Sequence, residues 1–103
     1  MRHLCGWLLA LTISVSPHVG FSGTKVNVEV KHRYEQGDRW LRIGIYCNGD
    51  EVTISDRGID PANRPFYRLS MRLTEPCTYE VVATVVKWDD STLSARTKVE
   101  IHE

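Results

Sequence analysis

The chain has 103 residues, of which 13 are basic and 13 acidic, so its formal net charge is zero. A protein that binds nucleic-acid backbones needs a surplus of lysine and arginine, so the balanced charge argues against nucleic acid as a partner. The hydrophobic fraction of 42% is too high for a disordered chain, and the length fits a single domain.

Residues 1–22 have the order of regions that is typical of a secretory signal peptide. A short basic start precedes an apolar run from Leu4 to Val15, and Pro17 and several small residues follow. The run is too short to cross a bilayer comfortably, and the small residues predict cleavage between Ser22 and Gly23. We therefore expect a secreted or periplasmic domain, residues 23–103, with no stable membrane span. The alternatives are an uncleaved anchor and a buried first strand.

Removal of the leader would leave two cysteines, Cys47 and Cys77. A domain of about 80 residues buries only about 60–65% of the surface of its unfolded chain, so a covalent link helps it to stay folded. A disulfide between the two would close a loop of about 31 residues and stabilise the fold by about 3–4 kcal/mol. In a reducing compartment the same residues would instead be two buried thiols.

An alternation with a period of two dominates the rest of the chain and predicts strands without any helix. The dipeptide Asn48 and Gly49 is favoured in tight hairpin turns. Because each strand has one apolar face to bury, the pattern predicts an all-β fold, a small antiparallel β-sandwich of six to seven strands. The six predicted strands cover residues 25–32, 39–47, 51–56, 66–73, 78–88 and 92–102.

Strand direction constrains the proposed disulfide. With six strands that alternate in direction, the end of the second strand and the start of the fifth lie at the same end of the sandwich, so Cys47 and Cys77 can meet. A seventh strand within the irregular segment 57–65 would place them at opposite ends. The disulfide therefore favours six alternating strands, or a local rearrangement of the seven-strand plan.

Residues 73–86 and 89–99 resemble the last two strands of an immunoglobulin-like or fibronectin type III-like domain. In such domains a Pro-x-x-Tyr turn leads into a long penultimate strand, and Pro76 and Tyr79 have this spacing here. The resemblance implies that the ring of Tyr79 points inward and that its hydroxyl bonds to the backbone. Cys77 precedes Tyr79 by two residues, whereas the antibody-type cysteine follows it by two, so the inter-sheet bridge of that family is not implied.

The sequence carries no catalytic motif, and without the leader only His32 and His102 could serve as histidine bases. We therefore expect a protein that is not an enzyme and carries no cofactor. Both histidines stand at strand ends. If the first and last strands ran parallel side by side, the two imidazoles would form a rim able to bind copper or zinc, as in a periplasmic metal carrier. Two solvated histidines are the simpler interpretation.

Two groups of outward-facing side chains are candidates for a binding surface. If the second and fourth predicted strands pair, their arginine and aromatic side chains form a ladder that suits an anionic or sugar polymer. Alternatively, the charges of this ladder are neutralised by ion pairs within the chain. This ladder consists of Trp40, Arg42, Tyr46, Arg68 and Arg72.

The second group is an apolar stripe on the longest strand: Val82, Val86 and Trp88. An exposed apolar stripe is typical of a surface that contacts another protein, although a loop or the N-terminal tail could also cover it. The sequence thus predicts a small, secreted or periplasmic, non-catalytic module that binds another protein or a surface polymer. The alternative is the periplasmic carrier of copper or zinc.

Overall fold

The computed structural model describes residues 11–59 and 66–103. Every regular element within them is a β-strand, and no helix that could cross a membrane is found there. The all-β architecture predicted from the sequence is confirmed. The strands are β1 (Leu11–Ser16), β2 (Val19–Phe21), β3 (Thr24–His32), β4 (Asp38–Cys47), β5 (Asp50–Gly58), β6 (Phe66–Leu73), β7 (Cys77–Lys87) and β8 (Thr92–His102).

The strands form two sheets that pack face to face, with the strand orders β1-β3-β6 and β2-β8-β7-β4-β5. Neighbouring strands are antiparallel except β2 and β8, which run parallel. Because side chains alternate along a strand, every second residue points into the space between the sheets. Burial of each such aliphatic side chain contributes about 1.5–3 kcal/mol. The centre of the core contains Val26, Val28, Val30, Leu41, Ile43, Ile45, Val81, Ala83, Val85 and Val99.

Strands β3 to β8 correspond to the six predicted strands, with small shifts at their ends. The two further strands, β1 and β2, lie within the segment predicted to be a leader. The described sandwich therefore begins at Leu11, whereas the sequence pattern places the start of the domain at Gly23; cleavage of the leader stays a prediction. Most of the segment 57–65, in which the sequence allows a seventh strand, falls outside the described residues.

The predicted disulfide is present at one end of the sandwich. Strands β4 and β7 are antiparallel neighbours, and the last residue of β4, Cys47, lies opposite Tyr79, two residues from Cys77 at the start of β7. The Cα atoms of the two cysteines are 6.2 Å apart and the sulfur atoms are bonded. The bridge joins two strands of one sheet, unlike the inter-sheet bridge of antibody domains. We call this end, where β8 also terminates at His102, the disulfide end.

The tyrosine corner implied by the resemblance is formed. The ring of Tyr79 is buried, and its hydroxyl donates a hydrogen bond of 2.5 Å to the carbonyl oxygen of Glu75. Burial raises the pKa of Tyr79, and the nearby charge of Glu75 acts in the same direction. The bond fixes the turn that leads into β7, two residues away from Cys77.

We predict that Tyr79→Phe lowers the free energy of unfolding by about 1 kcal/mol, because a buried hydroxyl–carbonyl bond is lost. Urea unfolding of both proteins measures the difference. The matched control is Tyr46→Phe, since Tyr46 is only partly buried and lies on the outer face of its sheet. Equal losses in the two variants would contradict a specific role for the corner bond.

Candidate functional site

The outer face of the five-stranded sheet carries an apolar stripe that is only partly covered. Directly paired residues of antiparallel strands share a face, so Trp40 lies beside Val86, and Ile54 and Val82 flank Gly44. These side chains are half-buried. We use the name outer stripe for Trp40, Tyr46, Ile54, Val82 and Val86.

A glycine allows an aromatic ring to join this stripe. A Cβ atom added to Gly44 would lie 2.7 Å from the hydroxyl oxygen of Tyr46 and 2.8 Å from a ring carbon. The Tyr46 side chain therefore lies along the sheet over Gly44 instead of standing away from it. This arrangement extends the apolar surface across β4 towards Ile54.

At the end of the sheet remote from the disulfide, a guanidinium group lies between two indole rings. The Arg39 Cζ atom is 4.0 Å from the centre of the Trp40 ring and 4.7 Å from that of Trp88. Trp88 has 69% of its surface exposed, and its backbone N–H donates a 2.9 Å hydrogen bond to the carbonyl of Gly37. Within the described residues Arg39 forms no ion pair. We call Arg39, Trp40 and Trp88 the Trp–Arg–Trp stack.

Sequence reasoning identified Trp40 and Trp88 but missed Arg39. Strict alternation along β4 would place Arg39 on the face opposite to Trp40. The pairing of β4 with β7 has a register shift between Asp38 and Trp40, which leaves Arg39 without a partner residue in β7. Such irregularities re-aim side chains at strand ends. Nothing in the local hydrophobic pattern indicates the shift.

A buried ionic cluster lies at the same end of the sandwich. The Asp38 carboxylate contacts His32 Nε2 at 2.9 Å and Lys87 Nζ at 2.7 Å, and it accepts a 2.8 Å hydrogen bond from the amide of Glu35. His32 and Asp38 are only 4% and 5% exposed. Because His32 belongs to β3 and Asp38 to β4, the contact joins the two sheets. We call His32, Asp38 and Lys87 the buried ion cluster.

Two opposing effects act on the Asp38 carboxyl group. Burial alone would raise its pKa, but the hydrogen bonds from Lys87 and the Glu35 amide, with the attraction of Lys87, lower the pKa below its usual value. The bond to Asp38 in turn raises the pKa of Lys87. The pair is therefore held in its charged form.

The histidine rim considered for copper or zinc does not form. His32 ends β3 inside the buried ion cluster, whereas His102 ends β8 at the disulfide end. The two strands lie in different sheets, and the strand parallel to β8 is β2. No group of three or more His, Cys, Asp or Glu side chains able to hold a metal ion occurs in residues 11–59 and 66–103.

The predicted ladder of arginines and aromatics is also wrong, because β4 and β6 belong to different sheets. Trp40, Arg42 and Tyr46 lie on the outer face of one sheet, and Arg68 and Arg72 on the outer face of the other. The arginines have partners within the chain. Arg42 makes two contacts with Asp56, at 2.8 and 3.1 Å. Arg68 pairs with Glu29 at 3.2 Å, and Arg72 donates to the Gly23 carbonyl at 3.0 Å.

The outer face of the three-stranded sheet is polar by comparison. Across β3 and β6, Asn27 lies opposite Ser70, Glu29 opposite Arg68, and Lys31 opposite Phe66. A shallow depression between these strands is lined mainly by the same polar side chains. The two outer faces therefore differ in chemistry, and the apolar one is the better candidate for contact with a protein.

We predict that Asp38→Asn lowers the free energy of unfolding by about 3 kcal/mol at pH 7, because Lys87 and His32 lose their charged partner. Since the folded-state pKa of Asp38 is below its unfolded value, its contribution is fully present above the unfolded value. It is lost as the pH falls through the folded value.

The free energy of unfolding of the parent chain should thus fall on acidification. In Asp38→Asn it should fall less, because the contribution of the ionised Asp38 carboxylate is already missing. Urea unfolding between about pH 2 and 7 measures both slopes. The control is Asp50→Asn, since Asp50 is exposed at the start of β5 and has no ion pair with any described residue. The same acid dependence in the parent and Asp38→Asn would contradict the role given to the buried ion cluster.

The chain matches no protein-family model and no curated protein. A variant of the superoxide reductase (neelaredoxin) from Ignicoccus hospitalis is similar in structure, with a TM-score of 0.71 and 14% identity over 97% of this chain and 87% of that one.

Two further solved structures are similar. The PKD domain of an M14-like peptidase from Thermoplasmatales archaeon SCGC AB-540-F20 has a TM-score of 0.63 and 18% identity, over 90% of this chain and 96% of that one. A CARDB domain from Pyrococcus furiosus, solved in complex with di-metal ions, has a TM-score of 0.57 and 19% identity, over 90% and 91%. CARDB and PKD domains are immunoglobulin-like β-sandwiches. At these identities the likeness shows the fold: the chain is an immunoglobulin-like β-sandwich.

Proposed function

We propose that this chain is an exported, non-catalytic binding module whose partner is another protein. The observation that carries the proposal is the exposed Trp88 ring, which stacks on Arg39 and continues the outer stripe of the five-stranded sheet. Tryptophan and arginine are the residues most enriched at the energetic centres of protein interfaces.

Export is supported by the disulfide and by the leader-like N-terminal sequence. Disulfides form and persist in oxidising compartments, and the Cys47–Cys77 bridge closes one end of the sandwich. A secreted or periplasmic location provides the oxidising conditions that this bridge needs.

The proposed absence of a catalytic role is supported by the hydrogen bonds and ion pairs that the buried polar side chains already form within the chain. The imidazole of His32 is buried and uses its Nε2 atom to contact Asp38. The Asp38 carboxylate also holds Lys87 and the Glu35 amide, so it has little capacity left for a substrate. These groups serve the fold instead of an open reaction centre.

A protein partner is favoured over an anionic polymer by the charges on the outer face. Arg42 is neutralised by Asp56, and Arg96 pairs with Glu80 at 3.4 Å. An anionic polymer would have to displace these carboxylates. An apolar protein surface could cover the outer stripe without breaking either pair, and a carboxylate at its rim could reach Arg39.

A photo-crosslinking amino acid in place of Trp88, in the full chain expressed in its exporting host, tests the proposal. We expect a discrete adduct with one polypeptide, identified by mass spectrometry, and we expect Trp40→Ala in the same background to reduce it. The matched control is the crosslinker in place of Phe66, which is 47% exposed on the opposite sheet.

A polypeptide adduct at position 66 with none at position 88 would contradict the proposed face. Adducts with saccharide instead of polypeptide at position 88 would contradict a protein partner and favour a surface polymer. The same set of diffuse adducts at both positions would contradict specific binding by either face.

A further inference from the structure

We propose that residues 11–22 belong to the mature protein, so that the Ser22–Gly23 bond is not a processing site. This inference does not depend on the binding face proposed above. It concerns the segment that the sequence pattern assigns to a leader.

The first support is burial. Leu11 and Val15 are 6% and 4% exposed and belong to the same core cluster as the valines of β3. All six residues of β1 pair with β3, from Leu11 opposite His32 to Ser16 opposite Asn27. A dispensable leader would not be expected to supply inward-facing side chains at the two-residue spacing that the core requires.

The second support is the bonding of the backbone around the predicted cleavage site. The Ser22 N–H donates to the carbonyl of His102 at 2.7 Å, and the Gly23 N–H donates to the carbonyl of Leu73 at 2.9 Å. These acceptors belong to different sheets, so the consecutive N–H groups of Ser22 and Gly23 tie the sheets together at the disulfide end. Tolerance to truncation is judged from the burial and hydrogen bonding of the affected backbone, and a cut here would remove the Ser22 bond to His102 together with the pairing of β2 with β8.

The third support is what a cut would leave behind. Without β1 and β2, the long strands β3 and β8 would both become sheet edges. Their inward-facing residues Val28, Val30 and Val99 would lose neighbours that cover them. Open, apolar edges pair with other chains, so a chain of residues 23–103 would require a strand from elsewhere.

Residues 11–15 fit two sequence patterns, the apolar run of a signal peptide and the alternation of a β-strand, which explains why the segment resembles a leader. An apolar run such as Leu4–Val15 is typical of a signal peptide, but its last part also alternates as a strand does, with Leu11, Ile13 and Val15 on one face. Insertion of that part into a membrane and its incorporation as β1 exclude each other. The extensive pairing of β1 favours incorporation in the mature molecule.

The intact mass of the full chain, recovered from an exporting host, tests the proposal. We expect a mass that includes residues 11–22. A mass that corresponds to residues 23–103, or to any start between 12 and 23, would overturn it.

The substitution Val15→Ala provides a second test on the same recovered protein. If β1 is retained, the truncated core side chain should lower the midpoint of thermal unfolding by about 10 °C. The matched control is Ser14→Ala, since Ser14 is exposed and should leave the midpoint unchanged. An unchanged midpoint in Val15→Ala would overturn the proposal, because a removed leader cannot affect the stability of the mature chain.

Discussion

The buried carboxylate of Asp38 is the contact on which one end of the sandwich depends. An isolated charge is costly to bury, and here it is compensated by Lys87 of the same sheet, by His32 of the other sheet and by the Glu35 amide. The opposite end is closed by the Cys47–Cys77 bridge. The two ends of one aliphatic core are thus fixed by different chemistry, an ionic cluster and a covalent bond.

The position of the candidate binding surface follows from this arrangement. Lys87 is held by Asp38, and the next residue, Trp88, donates its N–H to Gly37 in the turn before β4. Two bonds therefore fix the backbone that carries the exposed Trp88 indole, and this indole lies beside Arg39. A rigid aromatic side chain loses little entropy on binding, which suits it to contact a partner. On the outer face of the three-stranded sheet the exposed Phe66 ring has, among the described residues, a single cation over it, the Lys31 Nζ atom, at the longer distance of 5.6 Å from the ring centre.

The Cys47–Cys77 disulfide followed from the cysteine count and from strand parity, and the tyrosine corner was implied by the resemblance to immunoglobulin-like domains. Local alternation predicted strands β3 to β8 and their inward aliphatic residues, but not β1 and β2, whose residues fit a leader pattern. It could not predict which strands share a sheet, and the ladder of arginines and aromatics depended on a pairing of β4 with β6, which lie in different sheets. The histidine rim depended on parallel first and last strands, whereas His32 and His102 end strands of different sheets. The sequence pattern did not identify Arg39 as a surface residue beside Trp40, because a register shift breaks the alternation there.

Hydroxyl-radical footprinting tests binding by the outer face of the five-stranded sheet most directly, because it reports the solvent accessibility of aromatic side chains whatever the identity of the partner. The comparison is between the purified chain and the same chain in the intact cell envelope of an exporting host. Binding by this face predicts slower oxidation of Trp88 and Trp40 in the envelope, with Phe66 unchanged. Protection of Phe66 with full reactivity of Trp88 would contradict it.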